Sequence, residues 1–443
     1  MVSLISLPTE SIVYILLLLS PADIRACKLV SRRLLAAIQR SLKLQYLLEL
    51  DCLGFFPPLA PLEDMPLRER IHILREKYFV TTDGMQRNLG VHRTTFQVTL
   101  PLGPIIQYSQ GVLAIRGLPT NLAGQLQFYQ LASGNRHTGH SSWELHDKDV
   151  DAEDFRLEPD LDLLVLVEKA HPQTDTNLRI KFHLRSLSTG LMHPVASTPV
   201  LANTLKFTAY SENGFQIIGQ LLAIICFTTR RSDIPAQMYI WDWTTGELVT
   251  SVAVRGSTFA FVSEDVFLIE VSRSNRPKSS AIGTLDVYTI ADIPSGGRHR
   301  HVASLQLPPA TQGRCTSLFH FIRTPFPLTS LANGRLENLI PKRVYDIGPK
   351  LYYLCLHIQV HDIKDMPYQM SKGLLFIPSW VTLESLEGLE THSLSGPPNP
   401  IPWEDWAQCT SWVNTSKLHW GSHCLFGHRA AFLWFDRKEG GWR

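Results

Sequence analysis

The first residues of the chain combine signals for helix initiation with an unusually apolar segment. Pro8 suits the first turn of a helix, where its missing N–H is not needed, and Glu10 complements the helix dipole. Between Ile12 and Leu19 only Tyr14 carries a polar group, so the segment is apolar on every face. A few short helices cannot bury such a segment alone. We therefore expect part of it to contact another chain or another part of this one.

Two more helices are predicted directly after this segment. Ser20 and Pro21 suit an N-cap and a first helical position, and Asp23 places an acid in the first turn. An apolar stripe then continues through a second helix and into a third, which ends near Ser41. The stripe consists of Ile24, Cys27, Val30, Leu34, Leu35 and Ile38.

This arrangement resembles an F-box, the short helical module that docks onto a Skp-type adaptor of cullin–RING ubiquitin ligases. The family pattern opens with Leu-Pro-x-Glu, continues with a mid-helix Ile, a Leu four residues later and an acid–Leu pair, and ends with Val-Cys-x-Arg-Trp. The chain departs from it at Ser31 and Leu34, where the family often has Cys and Trp. The residues that carry the resemblance are Leu7, Pro8, Thr9, Glu10, Ile15, Leu19, Asp23, Ile24, Val30 and Arg33.

The resemblance implies an apolar surface that docks on the adaptor, with one polar contact at its rim. Some of the apolar residues must instead fill the core of the module, and the sequence does not apportion them. The alternative interpretation of these residues is that they form a buried helical hairpin of an ordinary domain and not an F-box. The implied docking residues are Leu7, Pro8, Ile12, Ile15, Leu16, Leu19, Ile24 and Val30, with Arg33 at the rim.

Helical periodicity continues to about residue 80. A fourth helix is predicted from Leu42 to Leu53, an irregular Pro-rich connection from Phe55 to Pro66, and an amphipathic helix from Leu67 onward. We assign residues 1–53 to the F-box module and residues 54–93 to a Pro-rich linker with its connecting helix.

Beyond Thr81 the pattern changes to short apolar runs divided by Gly, Pro, Asn and Ser. These runs predict many short strands, as in a sandwich, barrel or propeller. Three of the runs end in a polar turn whose glycine recurs about 56 residues later, at Gly134, Gly190 and Gly246. The third copy, Ile240 to Leu248, resembles the blade motif of WD-type propellers, although no other copy has its Trp-Asp pair.

We therefore predict a small all-α head followed by an all-β, degenerate WD-like propeller over residues 94–435, with a tail at 436–443. Its length suits six or seven blades, with seven favoured. The wholly apolar strand of each blade is expected to be the inner one. Loops such as Thr324 to Pro349 are expected on a propeller face. This arrangement, with the Leu44 to Leu50 run after the box, resembles a large group of fungal F-box proteins.

Composition and charge narrow the classes of function. A net charge of +2 gives no electrostatic argument for binding nucleic acid or an anionic membrane. Seven cysteines without a CxxC pair indicate reduced thiols in the cytoplasm or nucleus. The eight-residue apolar run near the N terminus is too short for a membrane span, which needs about 20 residues.

The chain shows no motif for catalysis or nucleotide binding. It contains no G-x-S-x-G, P-loop or G-x-G-x-x-G sequence. A cluster of His419, His423, Cys424 and His428 has zinc-ligand chemistry. It reads as a strand and a turn, however, where alternate side chains point to opposite faces. We predict no catalytic residue, no metal and no cofactor.

The predicted function is substrate recognition in a Skp–cullin–F-box ubiquitin ligase. The F-box would bind the adaptor and, through it, a cullin, while the propeller would bind an unknown protein target. A non-ligase propeller scaffold is the alternative, and a propeller hydrolase, using carboxylates such as Glu404 and Asp405, is a more remote one.

Overall fold

The computed structural model divides the chain into two compact units. The first, here the helical unit, consists of Met1–Thr99, Leu131–Ser141 and Ile340–Gly348, and the second, the sheet unit, contains the rest. The residues that the structure describes are 7–58, 60–82, 102–117, 125–133, 138–146, 150, 152–170, 178–205, 207, 209–227, 235–256, 258–272, 282–290, 299–309, 314–323, 342–347, 353–362, 370–382, 399–414, 423–426, 429–432, 435–436 and 441–442.

Five helices lie in the helical unit, and they follow the predicted pattern. They are α1 (Thr9–Leu16), α2 (Pro21–Val30), α3 (Arg32–Arg40), α4 (Leu42–Cys52) and α5 (Leu67–Thr82). Within the described part of the chain, none of the helices has the length and hydropathy that a membrane crossing requires.

Serine side chains start three of these helices. Ser20 accepts a hydrogen bond from the backbone N–H of Asp23 at 3.2 Å, which confirms the predicted N-cap of α2. Ser31 accepts from Leu34 N at 3.1 Å at the start of α3. At the start of α4, Ser41 accepts in the same way. Single serines thus separate α2, α3 and α4, so the chain turns sharply between short helices.

The core of the helical unit is aliphatic and contributed by α1 to α4. Each helix turns one apolar side toward it, which fits the amphipathic pattern in the sequence. The buried members are Ile12, Leu16, Ile24, Leu34, Ala37, Ile38, Leu44 and Leu48, and Leu7, Val13, Leu17 and Cys27 pack against them.

A distant segment completes the helical unit. Strand β1 (Phe55–Phe56) pairs antiparallel with β19 (Asp346–Ile347), and the rings of Phe55 and Tyr345 stack with centroids 4.2 Å apart. The Tyr46 hydroxyl donates to the Val344 carbonyl. Residues 342–347 therefore lie in the helical unit, and this part of the expected propeller-face loop was wrongly assigned.

Among the described residues, the sheet unit contains five four-stranded sheets, each with its strands in sequence order. They are β2 (Leu102–Ser109), β3 (Val112–Gly117), β4 (Gln125–Gln130) and β5 (Ser141–His146); β6 (Ala152–Glu158), β7 (Leu163–Ala170), β8 (Leu178–Ser186) and β9 (Val200–Leu205); β10 (Ala209–Ile218), β11 (Leu221–Phe227), β12 (Ala236–Asp242) and β13 (Leu248–Val254); β14 (Phe259–Phe261), β15 (Val266–Ser272), β16 (Gly283–Thr289) and β17 (Arg300–Gln306); and β18 (Arg314–Arg323), β20 (Tyr353–Asp362), β21 (Met370–Pro378) and β22 (Ser411–Asn414).

The described residues thus form five blades rather than the six or seven predicted. The first strands of the sheets begin at residues 102, 152, 209, 259 and 314, so the repeat is regular. The fifth sheet, however, runs from residue 314 to residue 414 because long connections follow β18 and β21. Those connections take up the length that we had assigned to further blades.

Two hairpins follow the fifth sheet. They are β23 (His423–Phe426) with β24 (Arg429–Phe432), and β25 (Phe435–Asp436) with β26 (Gly441–Trp442).

The first strands of successive sheets contact one another, as expected for the innermost strands of a propeller. Contacts join β2 to β6, β6 to β10, β10 to β14, β14 to β18, and β18 to β23. Side chains reinforce them: Gln216 on β10 donates to the Phe259 carbonyl at 2.6 Å and accepts from Phe261 N at 3.2 Å. The apolar runs that were predicted to be the inner strands, such as Leu221–Phe227 and Val266–Ser272, are instead the second strands of their sheets, β11 and β15. These have hydrogen-bonded neighbours on both edges and buried faces, so the prediction that they are innermost was wrong.

Candidate functional site

The helical unit exposes a set of large apolar side chains at the ends of its first two helices. Tyr14 on α1 is 70% exposed, and Leu18 in the following turn is 75% exposed. At the end of α2, Leu29 is 90% and Val30 71% exposed. The apolar segment is therefore not enclosed by its own unit. We call Pro8, Tyr14, Leu18, Leu19, Leu29 and Val30 the exposed head residues.

The structure separates the nine predicted docking residues into three groups. Ile12, Leu16 and Ile24 are buried in the core of the helical unit, so they support the module and are not available as docking residues. Leu7 and Ile15 are partly buried. The exposed members are Pro8, Leu19, Val30 and Arg33.

Arg33 has a structural contact within the module. Its guanidinium donates to the backbone carbonyl of Leu7 at 2.6 Å, which ties the segment before α1 to α3. The side chain is nevertheless exposed. Arg33 can therefore hold the start of α1 in place and still contribute charge at the rim of the exposed head residues.

Three of the exposed head residues were missed by the sequence reasoning. Leu18 was treated as helical, but α1 ends at Leu16 because the N–H groups of Leu18 and Leu19 bond to carbonyls only three residues earlier. Tyr14 and Leu29 lie off the apolar stripe that faces the core. The segment was recognised as apolar on every face, but docking residues were named only from the family pattern and the apolar stripe.

In the sheet unit, the WD-like turn of the third sheet is a structural element. The Asp242 carboxylate accepts from Thr244 N at 2.8 Å and from the Thr244 hydroxyl at 2.7 Å. Trp243 is fully buried and its indole N–H donates to the Gly219 carbonyl at 2.9 Å. Gly246 has a φ of +83°, which only glycine adopts readily. These bonds hold the turn closed, so Asp242 and Trp243 have a structural role here.

The equivalent turn of the second sheet has Ser186 at the position of Asp242, and a carboxylate from the connection between β6 and β7 bonds to it. The Asp162 carboxylate accepts from the Ser186 hydroxyl at 2.6 Å and from Ser188 N at 2.8 Å. Gly190 takes the left-handed position, with a φ of +73°. The predicted register of Gly190 and Gly246 is thus confirmed, whereas Gly134 lies outside the described residues.

Two carboxylates of the sheet unit have pKa values that are shifted in opposite directions. Burial, together with the nearby Asp286 charge, raises the pKa of Glu270 from 4.5 to about 8. The pKa of Glu168 is lowered, because Lys181 and His183 donate to it, each at 2.8 Å.

The predicted zinc-ligand cluster lies mostly outside the described residues. His423 and Cys424 are adjacent on β23, while His419 and His428 are among the undescribed positions. Within the described ranges, no three His, Cys, Asp or Glu side chains are grouped to hold a metal ion. Glu404 and Asp405, considered for hydrolysis, are exposed on the short helix Trp403–Trp406.

Comparison with known proteins defines the class of the N-terminal module. Residues 4–46 match the family model described as the F-box domain. The chain therefore has an F-box domain at its N terminus, followed by a β-propeller-like region. The match covers α1 to α3 and the beginning of α4, so it includes all of the exposed head residues.

The solved structures similar to this chain include two of Hsv2 from Kluyveromyces lactis. Their identities are 10% and 12%, and their TM-scores are 0.30 and 0.31. The alignments cover 50% and 49% of this chain and 67% and 66% of the Hsv2 chains, so this chain spans about two thirds of their length.

The β-propeller domain of the Trilobed protease from Pyrococcus furiosus is also similar. It is 10% identical, with a TM-score of 0.30, and the alignment covers 63% of this chain and 82% of that one. Scores this low carry no argument about function. No curated protein matches the chain in sequence.

Proposed function

We propose that this protein is the substrate-recognition subunit of a Skp–cullin–F-box ubiquitin ligase. F-box domains generally bind Skp-type adaptors, and the F-box match supports the same role here. The observation that carries the proposal is the set of exposed head residues within that match. The propeller-like region would bind the protein target, and a cullin would join through the adaptor.

The exposed head residues support docking for an energetic reason. Burying a Val or Leu side chain releases about 1.5–3 kcal/mol relative to leaving it in water. The set includes Leu18, Leu29 and Val30, which make few contacts in their own unit. An apolar partner surface would therefore gain substantially from covering them, with Pro8 and Arg33 at the edge.

The mechanism we propose is proximity rather than catalysis by this chain. The adaptor and cullin would hold a ubiquitin-conjugating enzyme near the captured target, so a target lysine meets it at high effective concentration. The chain would contribute no catalytic residue and no cofactor.

We place the protein in the cytoplasm or nucleus, where buried thiols such as Cys226 and Cys355 stay reduced. Its arrangement also suggests the fungal, WD-like type of F-box protein.

Co-purification with a Skp-type adaptor tests this function. We expect the full-length chain to form a one-to-one complex with the adaptor by size-exclusion chromatography with light scattering. The double variant Leu18→Asp, Val30→Asp places two charges among the exposed head residues and should weaken capture by at least about 100-fold. Both residues are solvent-exposed, so the helices should remain folded by circular dichroism.

The matched control is Leu191→Asp, which changes an equally exposed leucine in the sheet unit. This variant should bind the adaptor as tightly as the wild type. If the wild type does not bind, the ligase assignment is wrong. If the double variant binds undiminished, the exposed head residues are not the docking surface. The alternative, a non-ligase propeller scaffold, predicts that the full-length chain is a soluble monomer without any adaptor.

A further inference from the structure

The helical unit contains a segment that the chain reaches only after the first four sheets. Strands β18 and β20 are neighbours in the fifth sheet and pair with each other up to Arg323 and Leu354. The connection between them carries residues 342–347, which lie in the part of this connection, Ile340–Gly348, that belongs to the helical unit. We call residues 342–347 the clasp.

The backbone of the clasp is hydrogen-bonded to the connection that follows α4. The N–H of Arg343 donates to the Ala60 carbonyl at 2.8 Å, and the N–H of Leu62 donates to the Arg343 carbonyl at 3.2 Å. Further along the clasp, β19 pairs with β1. Because backbone groups are bonded at both ends of the clasp, the segment is seated in a defined register and does not merely lie against the helices.

The side chains in the middle of the clasp are buried. Val344 is fully buried, and the Tyr345 ring that stacks on Phe55 is only 4% exposed. The Arg343 guanidinium lies 3.2 Å from the Asp346 carboxylate, and both side chains are largely buried. Release of the clasp would return an aliphatic side chain and an aromatic ring to water, so the seated state is favoured.

Helix α4 connects the clasp to the helices that carry the exposed head residues. Its Tyr46 hydroxyl donates to the carbonyl of Val344 in the clasp. On the same helix, Leu44 and Leu48 lie in the core that also buries Ile24 and the apolar sides of α1 to α3. A change in the position of α4 would therefore be felt in the packing of α1 and α2, whose ends expose the docking side chains.

We propose that the clasp is a conformational device that controls adaptor binding. Seated on α4, it holds the docking module in its binding-competent form, and its release lowers the affinity for the adaptor. The F-box match ends at residue 46, so the clasp lies outside the matched domain and acts through α4. This inference rests on the proposed function, since the adaptor is the ligand whose affinity changes. Linkage is reciprocal, so the bound adaptor must in turn stabilise the seated clasp.

Variants of the full-length chain test the first half of the proposal. Val344→Asp places a charge at a fully buried site of the clasp and should weaken adaptor capture by at least about tenfold. The matched control Val413→Asp makes the same change at an exposed valine on β22 and should bind the adaptor as the wild type does. Unchanged hydrogen exchange in β11 and β15 shows that the sheets of both variants remain folded.

A milder variant covers the case in which Val344→Asp unfolds the helical unit. Tyr345→Ala removes only the ring that stacks on Phe55, and it should speed hydrogen exchange in the clasp and weaken adaptor capture together. Wild-type affinity in a variant whose clasp exchanges freely would overturn the proposal.

Hydrogen exchange of the unmodified full-length chain tests the second half without any substitution. A saturating Skp-type adaptor should slow exchange in peptides from the clasp by at least about fivefold, although the clasp is not part of the docking surface. Protection around Leu18 and Leu29 with no change in the clasp would contradict the coupling alone and leave the ligase assignment standing. An adaptor that does not bind at all would contradict the ligase assignment and, with it, the coupling.

Discussion

The helical unit and the sheet unit use apolar residues in opposite ways. In the sheet unit, second strands such as β11 and β15 are buried on both faces and their apolar side chains lie in the core. The helical unit has a small core around Ile24 and leaves Leu29 and Val30 beside it in solvent. Of the 11 large apolar side chains that are exposed among the described residues, 6 lie between Tyr14 and Phe56.

This difference follows from the size and shape of the two units. A stacked sheet offers each strand two faces and two edges to cover, so apolar residues on both sides can be buried. A short helix in a small unit, such as α1 or α2, can bury only one of its sides in the core that the helices share. The apolar residues on the other side of α1 and α2 are surplus to folding, which is why we assign them to binding.

The largest expected effect is at the centre of the sheet unit. Trp243→Ala removes a fully buried indole and its hydrogen bond to Gly219, and should cost about 3–5 kcal/mol of unfolding free energy. Trp412→Ala, at a half-exposed tryptophan on β22, is the control and should cost less. Urea unfolding followed by circular dichroism measures both. Equal losses would contradict the described packing.

The next effect separates core from surface within one helix of the helical unit. Ile24→Ala empties a fully buried site on α2 and should lower the stability of the helical unit by about 2–5 kcal/mol. Val30→Ala, on the same helix but exposed, should change stability by less than about 0.5 kcal/mol. Hydrogen exchange of the α2 amides reports both. A large loss from Val30→Ala would show that Val30 belongs to the core.

The buried carboxylate of Glu270 on β15 predicts a pH dependence. The folded pKa of Glu270, about 8, lies above the ordinary 4.5, so the folded state holds the proton more tightly. The stability from neutral Glu270 is therefore complete below about pH 4.5 and is lost as the pH rises through about 8. Glu270→Gln should remove this loss, on the order of 2–4 kcal/mol.

Thermal unfolding at pH 5, 7 and 9 measures this dependence. The midpoint of Glu270→Gln should exceed that of the wild type most at pH 9 and approach it at pH 5. The control Glu247→Gln changes an exposed carboxylate and should follow the wild type at every pH. A constant difference between Glu270→Gln and the wild type would contradict the raised pKa.

The smallest effect concerns the segment that completes the helical unit. Tyr46→Phe removes the hydroxyl that donates to the Val344 carbonyl, at a cost of about 1–2 kcal/mol. Proteolysis within residues 342–347 should then become faster. Tyr14→Phe, at an exposed tyrosine, should leave the cleavage rate unchanged. A cleavage rate unaffected by Tyr46→Phe would show that the bond does not hold this segment.

Local signals in the sequence predicted most of the elements. Ser20 and Pro21 placed the start of α2, and the glycine register predicted the turns at Gly190 and Gly246. Features set by distant contacts were not predictable in this way. The pairing of Phe55 with Ile347 joins segments far apart in sequence, and no local pattern encodes it.

The number of blades was mispredicted for a related reason. The length of a chain predicts its number of blades only if the connections within every blade are similar in length. The connections after β18 and β21 are much longer than the others. The burial of the predicted docking residues could not be read from the sequence. Periodicity cannot tell which side of an all-apolar helix faces the core, so Ile12 and Leu16 were grouped with residues that are exposed.

Hydrogen–deuterium exchange of the full-length chain, with and without a purified Skp-type adaptor, tests the central claim most directly. The account predicts new protection on adaptor binding in peptides that contain Leu18, Leu29 and Val30. Peptides from the second strands of the sheets should be unchanged. Absence of protection around Leu18 to Val30, or protection confined to the sheets, would contradict the claim that the exposed head residues are the docking surface.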